Sequence, residues 1–127
     1  MRMSSFAIAF VLVSITGVAG AATCPEPGAI KQSLPVVKAG ESPEPGVVYS
    51  VDQTQWKGEN PMGDLSDDLK SYKFDSAKVS DKSVVCRYIG GDSGFVSISL
   101  QGAKAPDGSG WKDSTCSGTN VSSCAFK

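Results

Sequence analysis

Four cysteines behind an export signal constrain this chain more than any other feature. The first 21 residues combine a positive start at Arg2, a short apolar run and a small-residue cleavage site, which is the pattern of a cleaved signal peptide. Exported proteins fold where thiols are oxidised, so an even set of cysteines predicts a disulfide framework. The cysteines are Cys24, Cys86, Cys116 and Cys124.

Four cysteines can form two disulfides in three ways. One way closes a short loop between Cys116 and Cys124 and leaves Cys24 to pair with Cys86. Chain-entropy arithmetic gives about 2.5 kcal/mol of stabilisation for the short loop and about 4 kcal/mol for the long one. This set is favoured and the other two stay open. In the favoured set, the long bridge ties the N-terminus of the mature chain to the sheet.

Size and charge limit the domain count and the partners. Removal of residues 1–21 from the 127 leaves a mature chain of 106 residues, which suits one domain over 22–127. Without Arg2 the 12 basic side chains fall to 11 against 13 acidic ones, a net charge of −2. Near-neutrality disfavours nucleic acid and anionic lipid as partners. The apolar run is shorter than the roughly 20 residues of a membrane span, so no anchor is expected after cleavage.

No combination of side chains dictates a chemistry. Gly91-Asp92-Ser93-Gly94 looks like a serine protease motif, but the chain has no histidine to accept the serine proton. A zinc site on the cysteines would require closely spaced cysteine pairs, and the sequence lacks them. We therefore expect no catalytic residues, no metal and no cofactor.

Turn residues divide the mature chain into strand-like segments. Residues 47–52 and 54–58 form a predicted hairpin, with Trp56 as its anchor. Residues 72–79, 83–89 and 95–100 are strand-like and joined by short turns, which predicts an antiparallel meander. The middle strand is apolar on both faces. It is therefore expected to be central and buried on both sides, Val85 included.

The N-terminus of the mature chain carries a helix signal. Thr23 and Glu26 have the spacing of a capping box, and prolines follow in the first turn, which predicts a short helix over residues 23–34. Residues 38–46 and 60–68 are predicted exposed loops. The expected fold class is α+β, with a short N-terminal helix on a mostly antiparallel sheet of about five strands, pinned by disulfides.

Several short motifs together resemble those of a known group of proteins. They are Cys24-Pro25, Ile30-Lys31-Gln32, Gly46-Val47-Val48-Tyr49, Trp56-Lys57-Gly58-Glu59-Asn60 and Val85-Cys86-Arg87-Tyr88, followed by a cysteine-rich tail. The chain thereby resembles small exported proteobacterial proteins of unknown function, and among them the EirA-like periplasmic proteins associated with type IVB secretion in intracellular pathogens. The resemblance implies a periplasmic location, a non-catalytic accessory role in effector secretion and intracellular replication, and no cofactor.

Three functional hypotheses follow from the sequence. The first is a non-catalytic periplasmic interaction protein with a protein partner in the cell envelope, with an extracellular location as the alternative. The second is a secreted inhibitor or immunity protein directed against a hydrolase. The third is a small glycan-binding module, because the aromatic rings of Trp56 and Trp111 can form an interaction surface if they are exposed.

Overall fold

The computed structural model describes residues 22–42, 45–63, 65, 69–90 and 94–127. The predicted signal segment 1–21 and residues 91–93 of the glycine-rich turn lie outside these ranges. Within them the chain forms one antiparallel sheet of eight strands and three short 3-10 helices. None of the helical segments in this part of the chain has the length and apolar character of a membrane span.

The sheet consists of a three-stranded unit, a meander and a small hairpin that lie side by side. Its order is β1-β2-β3-β6-β5-β4-β8-β7, and every pair of neighbours is antiparallel. The strands are β1 Ile30–Ser33, β2 Val47–Val51, β3 Lys57–Asn60, β4 Lys73–Val79, β5 Ser83–Ile89, β6 Phe95–Gln101, β7 Trp111–Lys112 and β8 Thr115–Ser117. The 3-10 helices are Pro27–Ala29, Leu69–Ser71 and Val121–Cys124.

The predicted meander is confirmed, and so is the pairing of the hairpin, but the second strand of the hairpin is Lys57–Asn60 rather than the predicted 54–58. Strands β2 and β3 pair across a turn that contains Gln53, whose φ of 60° lies in the left-handed region suited to tight turns. Strands β4, β5 and β6 pair in sequence order, with β5 in the middle. The short turns and the alternating apolar residues were therefore sufficient to predict this part of the sheet.

The predicted N-terminal helix is wrong. Pro27–Ala29 form a single 3-10 turn, and Ile30–Ser33 pair with β2 as a strand. Burial alternates along this strand and begins with the buried Ile30. The capping box is a local signal, whereas pairing with β2 gives each residue of β1 a strand partner and buries Ile30. With β1, β7 and β8 added, the sheet has eight strands rather than about five.

The core lies on one face of the sheet, which we call the inner face. Both expected disulfides are present there, Cys24 with Cys86 and Cys116 with Cys124, at sequence separations of 62 and 8. These are the pairings that the sequence favours. Two buried disulfides are consistent with folding in an oxidising compartment.

Residues 22–26 and 121–127 close the inner face. Ala22 and Phe126 exchange two backbone hydrogen bonds, of 2.7 and 2.8 Å. The ring of Phe126 packs edge-on against Trp56, with 6.1 Å between the ring centres. The two segments therefore form a small layer of their own over the sheet.

Tyr88 links this layer to the central strand. Its hydroxyl donates a hydrogen bond of 2.5 Å to the backbone carbonyl of Pro25. Burial, with a smaller contribution from the charge of Glu26, raises the pKa of Tyr88 well above its usual range. The phenol is therefore held in its protonated form, in which it donates this hydrogen bond.

Val85 departs from the expectation that both faces of β5 are buried. Val84 has no exposed surface, but Val85 is 38 % exposed because its face of the sheet contacts solvent.

We predict that Val84→Asp destabilises the fold by about 4 kcal/mol or more, since it buries an unpaired charge. Val85→Asp is expected to cost about 1 kcal/mol or less. Thermal unfolding followed by circular dichroism measures both, and equal losses would contradict this assignment of faces.

Candidate interaction surface

The side of the sheet opposite the core, which we call the outer face, is open to solvent. Successive side chains of a strand point to opposite faces, so the residues between the buried positions of β4, β5 and β6 project outward. Three large apolar side chains project there, Val85, Ile89 and Phe95, with exposed fractions of 38, 41 and 47 %. We call these three the apolar strip. Ile89 and Phe95 lie opposite each other at one end of β5 and β6, and Val85 lies in the interior of β5, with Arg87 between it and this pair.

One row of side chains crosses all eight strands of the outer face. From β1 to β7, the residues that lie opposite one another are Lys31, Ser50, Lys57, Ser99, Val85, Lys78, Thr115 and Lys112. Each of them is exposed or half-buried. Adjacent strands are about 4.8 Å apart, so this lysine row spans roughly 34 Å, with gaps of about 10, 14 and 10 Å between its lysines.

The lysine row avoids direct contact between like charges. At least one neutral residue separates each lysine from the next, and like charges directly opposite each other would destabilise the sheet. Lys31 also forms an ion pair of 3.6 Å with Asp52 at the end of the row. Both partners are exposed, so this pair contributes little to stability. The remaining lysines of the row make no ion pair with any described residue.

Arg87 adds a fifth cation beside the apolar strip. Its guanidinium carbon lies 4.9 Å from the ring centre of Phe95, within the range of a cation–π interaction. This contact holds the long side chain over the sheet. A shallow cavity of about 340 Å³ opens beside it, and its lining includes Ser76, Lys78, Val85, Arg87, Ser97 and Thr115.

Charge is segregated between the strands and the rest of the chain. The eight strands carry six basic residues, Lys31, Lys57, Lys73, Lys78, Arg87 and Lys112, and two acidic ones, Glu59 and Asp75. The formal net charge of −1 for the whole chain is the sum over the basic strands and the acidic remainder, so it does not show this difference. The expectation of near-neutrality therefore fails for the outer face, because the strand register brings together lysines that are far apart in the sequence.

Trp56 and Trp111, the residues of the predicted interaction surface, differ in exposure. Trp56 is 7 % exposed and packs in the core against Phe126, because its position beside the β2–β3 hairpin points inward. Trp111 is half-buried, and its indole N–H donates a hydrogen bond of 2.6 Å to the carbonyl of Ala125. Trp56 therefore has almost no surface available for stacking, whereas Trp111 keeps part of its surface exposed and its role in binding stays a prediction.

A second cavity, of about 530 Å³, lies at the edge of the inner face. It is bordered by Glu26, Lys70, Tyr72, Lys73 and Asn120, among others. One acid and two lysines give it no single preference for the charge of a ligand. Among the described residues, no group of three or more His, Cys, Asp or Glu side chains is arranged to hold a metal ion.

Comparison with protein-family models, with curated proteins and with solved structures found no match. The chemistry of the outer face is therefore the basis on which function is inferred.

Gly58 lies where β3 pairs with β6, which connects the part of the lysine row on β1 to β3 with the part on the other strands. Strands β3 and β6 pair where Lys57 lies opposite Ser99, and a Cβ added to Gly58 would lie 2.1 Å from the backbone oxygen of Ser97. We predict that Gly58→Ala pushes β3 away from β6 and destabilises the fold by about 2 kcal/mol or more. Chemical denaturation gives the loss, and amide NMR shifts of Lys57 and Ser99 report the separation.

Gly28→Ala is the matched control. Its Cβ would meet a side-chain carbon of Lys70 at 3.6 Å, an ordinary contact. This variant should retain the stability and the β3–β6 amide shifts of the parent. If Gly58→Ala behaves in the same way, β3 and β6 are not joined as described.

Proposed function

We propose that this protein is an exported, non-catalytic interaction protein that binds a protein partner through the outer face of its sheet. The observation that carries the proposal is the apolar strip of Val85, Ile89 and Phe95, exposed on the middle strands β5 and β6 on either side of Arg87. Antiparallel sheets usually present a polar surface to water. Phe95 and Arg87 belong to the residue types that are enriched in protein interfaces.

The size of the outer face supports a protein partner. The eight strands contain 39 residues, and at about 3.4 Å per residue along a strand and about 4.8 Å between strands they cover roughly 640 Å². That is about what one partner contributes to an interface of standard size. A small ligand would use only a fraction of it.

We further propose that the protein works in the periplasm, where it supports a type IV secretion system and the intracellular replication of a bacterial pathogen. The signal-peptide pattern of residues 1–21 and the two disulfides support export. The resemblance to EirA-like proteins supports the narrower role. The predicted loops 38–46 and 60–68 were expected to contact the partner, and the outer face is proposed in their place. The inhibitor hypothesis remains the runner-up, and it would place contacts on loop residues such as Met62 rather than on the sheet.

Site-specific photo-crosslinking in the native host tests this proposal. We predict that p-benzoylphenylalanine at Phe95 forms an adduct with an envelope protein, because the ring position lies in the proposed interface. The same amino acid at Met62 is the control, since Met62 is 91 % exposed but follows β3 in a loop. Mass spectrometry of the adducts identifies the partner.

The outcomes separate the two hypotheses. An adduct from position 95, with little or none from position 62, would support the sheet face as the binding surface. An adduct with a hydrolase from position 62 alone would favour the inhibitor hypothesis. Absence of any adduct at position 95 would overturn the proposed use of the outer face.

A further inference from the structure

Resting on that proposed function, we infer that the partner presents an acidic, extended polypeptide segment to the lysine row. Three properties of the row support this chemistry of the partner: its positive charge, the twist of the sheet along it, and the neutral residues between its lysines.

The charge of the row favours an anionic partner. Lys57, Lys78 and Lys112 stand on the outer face without an ion pair to any described residue, and Arg87 lies on the next rung. Complementary charge raises association rates and selects partners, whereas a second copy of this chain would bring like charges together. The row therefore favours an acidic partner over self-association.

The shape of the row selects an extended chain. Adjacent strands rotate by about 20°, so over the seven steps from β1 to β7 the directions of the side chains turn about the axis of the row by roughly 140°. A flat lipid surface or a rigid helix would contact only some side chains of a row that turns in this way. An extended polypeptide rises about 3.4 Å per residue, so about ten residues cover the row. Carboxylates three to four residues apart would match the lysine gaps of about 10 and 14 Å.

The neutral residues of the row favour a polypeptide over other polyanions. Ser50, Ser99 and Thr115 lie between the lysines and offer hydroxyl groups to peptide carbonyls and carboxylates. Val85 occupies the middle of the row, and Arg87 separates it from Ile89 and Phe95. A segment with spaced acidic residues and one apolar side chain near its centre would use all three kinds of contact.

A pair of synthetic peptides tests the inference directly. The acidic probe is a 12-residue blocked peptide with glutamate at every third position, one central leucine and serine elsewhere, and the control probe has glutamine in place of each glutamate. Titration into the ¹⁵N-labelled protein should shift amides of β3, β4, β6 and β8. We predict at least about ten-fold tighter binding of the acidic probe at low salt, and a loss of that advantage at about 1 M salt, where screening is strong.

Charge-reversal variants show whether the row is responsible. The double variant Lys57→Glu, Lys78→Glu should bind the acidic probe at least about ten-fold more weakly than the parent. The control, Lys38→Glu with Lys82→Glu, makes the same change of net charge at exposed positions outside the strands. It should retain most of the binding, and circular dichroism checks that both variants fold.

Several results would overturn the inference. Equal binding of the glutamine probe, or equal loss in both double variants, would mean that the row does not recognise carboxylates. Tighter binding to phosphatidylglycerol vesicles or to polyphosphate than to the peptide would identify a lipid or another polyanion instead. If the adduct at Phe95 forms but the acidic probe does not bind, the outer face is still the binding surface, but the partner does not present an acidic segment to it. If the probe binds the row but no adduct forms, only the proposed function fails.

Discussion

The disulfide between Cys24 and Cys86 holds the segment before β1 against the central strand β5. It closes a loop with a sequence separation of 62, which restricts the unfolded chain by about 4 kcal/mol in the chain-entropy model. The hydrogen bond from Tyr88 to Pro25 attaches the same segment two residues further along the strand. Together they determine which face of β5 is covered, and the opposite face is left open for the lysine row and the apolar strip.

In this arrangement the inner face of the sheet holds the core, and the outer face contacts solvent. Cysteines and aromatic rings on the inner face supply the buried contacts, and the two flanking segments cover them. Lysines and hydroxyl residues on the outer face are largely free of packing constraints, because they contact solvent. A change on the outer face can therefore alter binding with little effect on the core. The alternation of side chains along β5 is sufficient to produce both surfaces from one strand.

Local signals predicted the parts of the fold that depend on neighbours in the sequence. The hairpin and the meander follow from turn residues and alternation, and the disulfides follow from cysteine number and spacing. The helix over residues 23–34 was wrong because pairing with β2 outweighs a capping box. Val85 was misjudged because an apolar pattern does not say whether a second layer covers that face. The lysine row could not be predicted, since Lys31 and Lys112 become part of one row only through a register that spans eight strands.

The central claim is that the outer face is occupied in the cell and that the lysine row takes part. Lysine acetylation of native envelope fractions, compared with the purified protein and read by mass spectrometry, tests it most directly. The account predicts that Lys57 and Lys78 are modified several-fold less in the envelope, while Lys38 and Lys82 are modified equally in both. Equal modification of Lys57 and Lys78 in the two preparations would contradict it.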